Sequence, residues 1–473
     1  MYNIEFNNPI KVHFIGIGGI SMSGLAELLH TMHFSVTGSD AKTSTTTDHL
    51  EELGITVFYG QRPSNITSDV NLVVYTTAVK EDNPELMEAR KLAIPVIDRA
   101  ELLGQVMKRY SDAIAVSGTH GKTTTTSMIS LILLDAGLDP TISVGGILDN
   151  IGGNIRIGSS DHFVVEACEY TNSFLKFSPT TGVILNIEAE HLDFFKDIED
   201  IRNSFHKFTE LLPNEGLLII NSDIENISYF TKDLACPFIT YSITSTASSV
   251  RGTLQSSALL HHYYAGDIRY DEQGFGQYSL YEDGEFLTDI SLHVVGSHNI
   301  SNSLPAIALA RSYEIPLNVI TASISRFTGT KRRFERKGVL GGVTVIDDYA
   351  HHPSEVRATL EAAANYPHSR IWCVFQPHTY SRTRAFLADF ADSLALADKV
   401  VLTDIYAARE KDPGDISSKD LEAALKEKGV DVIHIKTFDE IQNYLLENCT
   451  NGDLLITMGA GDVVTIGNDL LGL

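Results

Sequence analysis

"AIAVSGTHGKTTTTSMISLILLDAG", residues 113–137, sets a strand-like apolar run, a glycine turn and a helix-like run in succession. Gly118 and Gly121 let the backbone fold tightly and turn N–H groups toward phosphate oxygens. Lys122 adds a mobile positive charge, and Thr123 a hydroxyl suited to Mg2+. Thr119, His120 and Thr124 belong to the same loop and count with these as nucleotide-binding positions. The spacing departs from G-x-x-x-x-G-K-[ST] at one place, where Val116 stands for the first glycine. A strand before and a helix after are the context this motif demands. The middle of the chain therefore reads as an α/β domain of P-loop ATPase type that takes ATP.

Upstream, "VHFIGI", "FSVTGSD", "ITVFYG", "NLVVYTTAV" and "IPVIDRA" alternate with helical patterns, which predicts a small Rossmann-like domain over residues 1–108. Its first turn, in "KVHFIGIGGISMSGLAELL" (11–29), carries Gly16, Gly18 and Gly19, with Asp40 lying 24 residues after Gly16. That resembles a dinucleotide fingerprint, but Ser21 occupies the third glycine's place and Gly24 comes three residues late. The turn therefore suits NAD, FAD or another phosphate ligand. Downstream, "HFVVEA" and "TGVILNI" continue the central domain, predicted over 109–325. Near-alternation within 225–295 ("GQYSLYEDGEFLTDISLHVV") predicts antiparallel strands attached to it. A helix, "NISNSLPAIALARSY", follows. "VTVIDDYA", "RIWCVFQ", "KVVLTDI", "VDVIHI" and "DLLITMGAGD" then predict a C-terminal Rossmann-like domain over 326–473.

Three α/β domains in series suit 473 residues, more than one hydrophobic core usually supports. Cys168, Cys236, Cys373 and Cys449 lie far apart without a CxxC pair, so neither a disulfide framework nor a cysteine zinc site organises the chain. A net charge of −25 argues against a general nucleic-acid binder, although local basic clusters still permit an anionic substrate. No apolar run approaches the roughly 20 residues of a membrane span. "MYNIEFNNPIK" lacks the features of a secretory signal, so a cytoplasmic protein is expected.

"VVEACEYTNSFL" ends a strand with Glu166 and Glu169, and "VILNIEAEHLDFF" ends another with Glu188, Glu190 and His191. Ligands of doubly wound sheets gather at such strand ends. A carboxylate such as Glu166, directly after an apolar run, needs a compensating partner, and the Mg2+ of a bound ATP would provide one.

"GTHGKTTT", "EACE" with "NIEAEHLD", "GSHNISN", "KRRFE", "DDYAHHP" and "FQPHTYSRT", in this order between about residues 11 and 465, resemble the signature set of the Mur ligase family. "IGIGGISMSGLAELL" and "DDYAHHPSEV" are similar to its alanine-adding branch. The resemblance implies peptidoglycan-precursor synthesis, with UDP-N-acetylmuramate and L-alanine as substrates and ATP and Mg2+ as cofactors. The lactyl carboxylate would attack the γ-phosphate, and alanine's amine would attack the resulting acyl phosphate. It implies Lys122, Glu166, His191, Arg333 and His351 as catalytic, with Thr123, Glu166 and His191 on the metal. Asn299, Asn302, Arg333 and Asp348 would join the phosphate loop in binding ATP. Gly16, Gly18, Gly19, Ser39, Asp40, Tyr349, His378 and Arg382 would meet the sugar nucleotide or the amino acid. Where relatives carry a modified lysine for a second magnesium, this chain has His206, with Lys207 beside it. The protein is expected to be a monomer or homodimer.

Blander readings stand beside these. Ser297 or Asn299 could be a helix N-cap, the basic run 331–337 a solvated face, and His378 a loop residue packed on Pro377. A zinc site at His351 and His352 lacks cysteine partners at suitable spacing. Competing functions are a muropeptide-recycling ligase adding a tripeptide to UDP-N-acetylmuramate, a nicotinamide-dependent oxidoreductase, and a non-catalytic nucleotide sensor. The oxidoreductase leaves "GTHGKTTT" without a purpose.

Overall fold

A computed structural model describes residues 2–76, 79–192, 194–244, 247–254, 256–408 and 410–473. Thr77, Ala78 and Asp193, inside stretches quoted above, lie outside the described residues. The chain divides into two compact units. One comprises Met1–Ile187, Arg202–Thr240 and Ser256–Leu260, and the other Glu188–Ile201, Tyr241–Gln255 and His261–Leu473.

The first unit opens with β1 (Lys11–Ile15), β2 (Ser35–Asp40), β3 (Thr56–Tyr59), β4 (Leu72–Tyr75) and β5 (Val96–Asp98). They form one parallel sheet in the order β3-β2-β1-β4-β5. Val12, Phe14, Val73 and Val74 have no exposed surface, as expected of strands covered on both faces. Strand order reverses between β1 and β4, which places the turn after β1 at a switch point where such sheets bind ligands.

The same unit continues with β6 (Asp112–Ser117), β7 (Thr141–Leu148), β8 (Gly153–Arg156), β9 (His162–Ala167), β10 (Thr181–Ile184), β11 (Leu217–Asn221) and the first residues of β12 (Phe238–Ser242). β6 lies between β10 and β9, parallel to both, and β7 follows β9. The antiparallel β7–β8 pair has no counterpart in the sequence reading. Its glycines 145, 146, 152 and 153 dilute the apolar alternation by which a strand is recognised.

In the second unit β13 (Leu259–Tyr270), β14 (Phe275–Glu282) and β15 (Glu285–Val295) are antiparallel, as the alternation predicted. The helices Ser228–Thr231 and Ala247–Leu254 interrupt the earlier part of that stretch. The last sheet holds β16 (Glu335–Leu340), β17 (Val343–Asp348), β18 (Ile371–Phe375), β19 (Lys399–Leu402), β20 (Asp431–His434) and β21 (Leu454–Met458). Its order is β16-β17-β21-β18-β19-β20, with only β16 antiparallel to its neighbour. β16 is formed in part from the charged run "ERKG", so the basic cluster belongs partly to an edge strand.

Candidate active site

In the first unit, Gly118 (φ +143°) and Gly121 (φ +83°) shape the loop after β6, and the helix Lys122–Asp135 starts from it. A Cβ on Gly118 would lie 2.9 Å from that of Leu185, so both backbone angle and space require glycine. Asn186 stitches the loop to the end of β10. It accepts from the His120 N–H (2.8 Å), donates to the His120 carbonyl (3.1 Å), and its own carbonyl accepts from Thr119 N–H (3.2 Å).

The Lys122 ammonium curls back to the carbonyls of Gly118 (2.5 Å) and Thr119 (3.0 Å) and to the Glu169 carboxylate (3.2 Å). Burial disfavours its charge, but Glu169 overrides this and raises its pKa. Thr123 and Thr124 are buried in the first turn of the helix. Glu166, at the end of β9, accepts from the Gly145 N–H at 2.6 Å. A Cβ on Gly145 would stand 2.7 Å from Glu166 Oε2, and one on Gly146 would stand 3.2 Å from Thr123 Cγ2. The two glycines thus let β7 pass close to both candidate metal ligands of this unit. Glu169, Asn186 and this glycine pair are site residues that motif reading left without roles.

At the N-terminal switch point, Gly16 (φ +80°) and Ile17 donate to the Ser39 carbonyl at 2.8 and 2.9 Å. Gly18 donates to Asp40 Oδ2 (2.9 Å), and Gly19 to the Gly16 carbonyl (3.3 Å). The Ser39 side chain, fully buried, donates to Glu85 Oε2 at 2.6 Å. Ser39 therefore holds the loop from beneath. Asn154, on β8, donates to the Ile20 carbonyl (2.8 Å).

In the second unit, His191 takes a positive φ of 55° and its N–H donates to Glu190 Oε1 at 3.1 Å. The helix Ser297–Ser312 starts from Gly296 (φ +91°), which occupies the N-cap position instead of Ser297 or Asn299. Asn299 Nδ2 donates to the Val295 carbonyl (2.8 Å), and Asn302 Nδ2 to Asn299 Oδ1 (3.1 Å).

The two neighbouring arginines of "KRRFE" divide their work. Arg332 donates to Asp347 (2.9 Å) and to the carbonyls of Gly459 (2.7 Å) and Gly461 (3.2 Å), tying β17 to the loop after β21. Arg333 is looser, 3.9 Å from Glu355 and with its guanidinium 5.4 Å from the Tyr349 ring centre. Asp348 accepts from the N–H groups of Phe334 (2.8 Å) and Ala350 (2.7 Å), and burial pushes its carboxyl up to about 6.

At the carboxyl ends of β17 and β18, the rings of His351 and His378 have centres 5.8 Å apart, and His378 stacks on Tyr406 at 5.6 Å. His351 Nδ1 lies 3.0 Å from the Tyr349 carbonyl. His352 instead caps the helix Pro353–Ala364, with Glu355 completing the capping box. Arg382 directs Nε (3.2 Å) and Nη2 (2.8 Å) to one oxygen of Glu190, and Nη1 to His378 Nδ1 (3.0 Å).

Arginine can only donate, so His378 Nδ1 accepts and the ring's proton sits on Nε2. Burial, then the positive neighbours His351 and Arg382, bring the His378 pKa down to about 4. Nitrogen-15 spectra are expected to show a neutral Nε2–H ring from pH 8 to 5. A midpoint near 6.5 would contradict this arrangement.

Matches to three family models span the chain: "Mur ligase family, catalytic domain" over residues 11–111, "Mur ligase middle domain" over 116–310, and "Mur ligase, glutamate ligase domain" over 332–461. The chain is 58% identical over 471 residues to a UDP-N-acetylmuramate–L-alanine ligase of Lachnoclostridium phytofermentans, covering 100% of both chains. A protein of the same name from Acetivibrio thermocellus is 51% identical over 100% of this chain and 98% of its own length. Among solved structures, the chain is similar to the UDP-N-acetylmuramate-alanine ligase of Thermotoga maritima, with a TM-score of 0.81, 28% identity and 98% of each chain covered. A murein peptide ligase from Psychrobacter arcticus shares the fold, with a TM-score of 0.72, 24% identity and 98% of each chain covered.

Proposed function

The chain belongs to the Mur ligase family, and on that premise we propose that it joins L-alanine to the lactyl carboxylate of UDP-N-acetylmuramate at the expense of ATP. It is a ligase of peptidoglycan-precursor synthesis. The observation that carries this reading is end-to-end identity of 51–58% to ligases of that name, together with an intact phosphate loop.

A carboxylate approaching a triphosphate is repelled, so the residues must neutralise the encounter before they orient it. Lys122, held by two loop carbonyls, would follow the phosphates. Thr123 and Glu166, each close to a glycine of β7, would offer a hydroxyl and a carboxylate, a donor set that suits magnesium. Mg2+ there, with His191 as a further ligand by family resemblance, would offset phosphate charge. Asn299 and Asn302 would meet the adenine and Asp348 the ribose. Arg333, the less anchored of its pair, would reach the γ-phosphate.

The lactyl carboxylate attacks the γ-phosphate, ADP leaves, and the acyl phosphate is opened by alanine's amine with release of phosphate. His351, Tyr349, His378 and Arg382 would form the amino-acid side of this site. Gly16, Gly18, Gly19, Ser39 and Asp40 would shape the sugar-nucleotide side. The domain limits 1–108, 109–325 and 326–473 follow these assignments. No helix among the described residues is long and apolar enough to cross a membrane, in keeping with a cytoplasmic enzyme acting on small molecules as a monomer or homodimer.

Phosphate release from ATP and UDP-N-acetylmuramate should depend on L-alanine. Glycine and serine should follow at lower kcat/KM, because a single methyl discriminates by only about 1–3 kcal/mol. Preference for a tripeptide would move the protein to muropeptide recycling. Release with no amino acid required would overturn the ligase reading.

A further inference from the structure

Glu85, in the first turn of the helix Pro84–Lys91, is an acid with no exposed surface. Among the described residues no lysine or arginine pairs with it. Only the His13 ring, equally buried, faces it, with Nε2 3.7 Å from Glu85 Oε2. A carboxylate in such surroundings is costly unless donors gather round it. Ser39 Oγ donates to Oε2 at 2.6 Å, while Asn65 Nδ2 (2.5 Å) and the Arg62 N–H (3.4 Å) donate to Oε1. Burial favours the protonated form, but the His13 ring and the bonds from Ser39 and Asn65 outweigh it. They hold the carboxyl below its usual range. Facing an ionised acid, His13 carries its proton on Nε2, so its Nδ1 accepts from the Thr37 hydroxyl at 2.9 Å.

The donors come from two separate segments. Ser39 stands near the end of β2, and its carbonyl takes the N–H groups of Gly16 and Ile17. Arg62 and Asn65 belong to the stretch that follows β3, and Asn65 also donates to the Gly60 carbonyl at 3.0 Å. Asn83, two residues before Glu85, adds a further link. Its Oδ1 caps the helix through the N–H groups of Glu85 (3.0 Å) and Leu86 (3.2 Å), while its Nδ2 donates to Gln61 Oε1 at 2.5 Å. The start of one helix thus clasps residues 61–65 to the end of β2. Both lie at the carboxyl edge of the parallel sheet, where doubly wound sheets take ligands. Glutamate is the residue type this clasp needs. Ionised, it only accepts, whereas glutamine would turn an N–H2 group toward one of the donors.

We propose that Glu85 is a positioning residue for the sugar nucleotide, whose buried carboxylate locks residues 61–65 to the end of β2 and so fixes the shape of the crevice that receives it. Glu85 acts through Ser39 and Asn65 and does not itself touch the nucleotide. The inference rests on the sugar-nucleotide reading of this domain given above. It gives an interior acid, 46 positions from Ser39 in the sequence, a part in recognition.

Calorimetric titrations of the full chain and of Glu85→Gln test it, with UDP, UDP-N-acetylmuramate and the non-hydrolysable ATP analogue AMP-PNP with Mg2+, well below each protein's melting temperature. Glu85→Gln is expected to weaken UDP and UDP-N-acetylmuramate by at least about tenfold, the scale of a lost hydrogen bond to a charged group. AMP-PNP should change by less than about twofold. A Glu85→Gln protein that melts earlier yet binds UDP like the parent would overturn the proposal, because a merely structural role moves stability and leaves the affinity of the folded protein alone. Equal losses for UDP and AMP-PNP would also overturn it, since they would mark a general disruption. Should Glu85→Gln not fold, Asn65→Ala, which cuts the clasp at its partly exposed side, carries the same comparison. Failure of the unaltered chain to bind UDP would instead remove the sugar-nucleotide reading.

Discussion

Lys122→Ala is expected to lower kcat by at least about a thousandfold, or about 4 kcal/mol of transition-state stabilisation. The ammonium is already fixed by two carbonyls of its own loop, so little reorganisation separates the structure seen here from one wrapped on phosphates. A complication is Glu169, whose side chain is only 2% exposed and which the substitution leaves without its lysine. Breaking such a pair from one side destabilises a protein by about 3–5 kcal/mol, so the single variant should melt earlier as well as turn over slowly. The double variant Lys122→Ala/Glu169→Gln separates the two effects. Its melting temperature should recover toward the parent while kcat stays down. Recovery of turnover along with stability would show that Lys122 is structural, and the ATP site would have to lie elsewhere.

Sequence reading was most successful where one residue type has one physical use. Gly118 and Gly121 are legible because a strand that turns sharply into a helix needs the positive φ that glycine adopts. The strands of the parallel sheets were legible as Val/Ile runs, and all five named for the first sheet are present.

What escaped was long-range. Glu169 is 47 positions from Lys122, and Asn186 is 66 from His120, so no local pattern joins them. Arg332 and Arg333 are neighbours of identical type. Only the structure shows that the first is spent on Asp347 and two carbonyls while the second remains loose. The opening glycine turn shows a further limit of reading by residue type. Its glycines are required for angle and for close approach, as Gly18 shows, where a Cβ would lie 2.9 Å from Asp40 Oδ2. Their amides meet the Ser39 carbonyl, the Asp40 carboxylate and the Gly16 carbonyl. Glycine marks where a chain bends, while the direction of its N–H groups depends on acceptors that a sequence does not place.

Arg382→Ala should raise the KM for L-alanine by about a hundredfold or more, about 2.7 kcal/mol, with the KM for ATP within about twofold. Arg382 spends Nε and one Nη2 proton on Glu190, while Nη1 serves both Nδ1 and the carbonyl of His378, so Nη2 retains a second proton. That proton, on a charged guanidinium, suits a carboxylate oxygen. Glu190 and His378 thus fix the orientation of the guanidinium, which on the proposed function would meet the α-carboxylate. Lysine keeps the charge but cannot serve Glu190, His378 and a substrate together, so Arg382→Lys should behave closer to alanine than to arginine. Glu190→Gln keeps the shape and loosens the aim, and a smaller rise in the same KM is expected from it. Initial rates across an alanine titration, at saturating ATP and UDP-N-acetylmuramate, distinguish the outcomes. An unchanged alanine KM in Arg382→Ala would mean that Arg382 only braces Glu190, and the α-carboxylate site would have to be sought at Arg333.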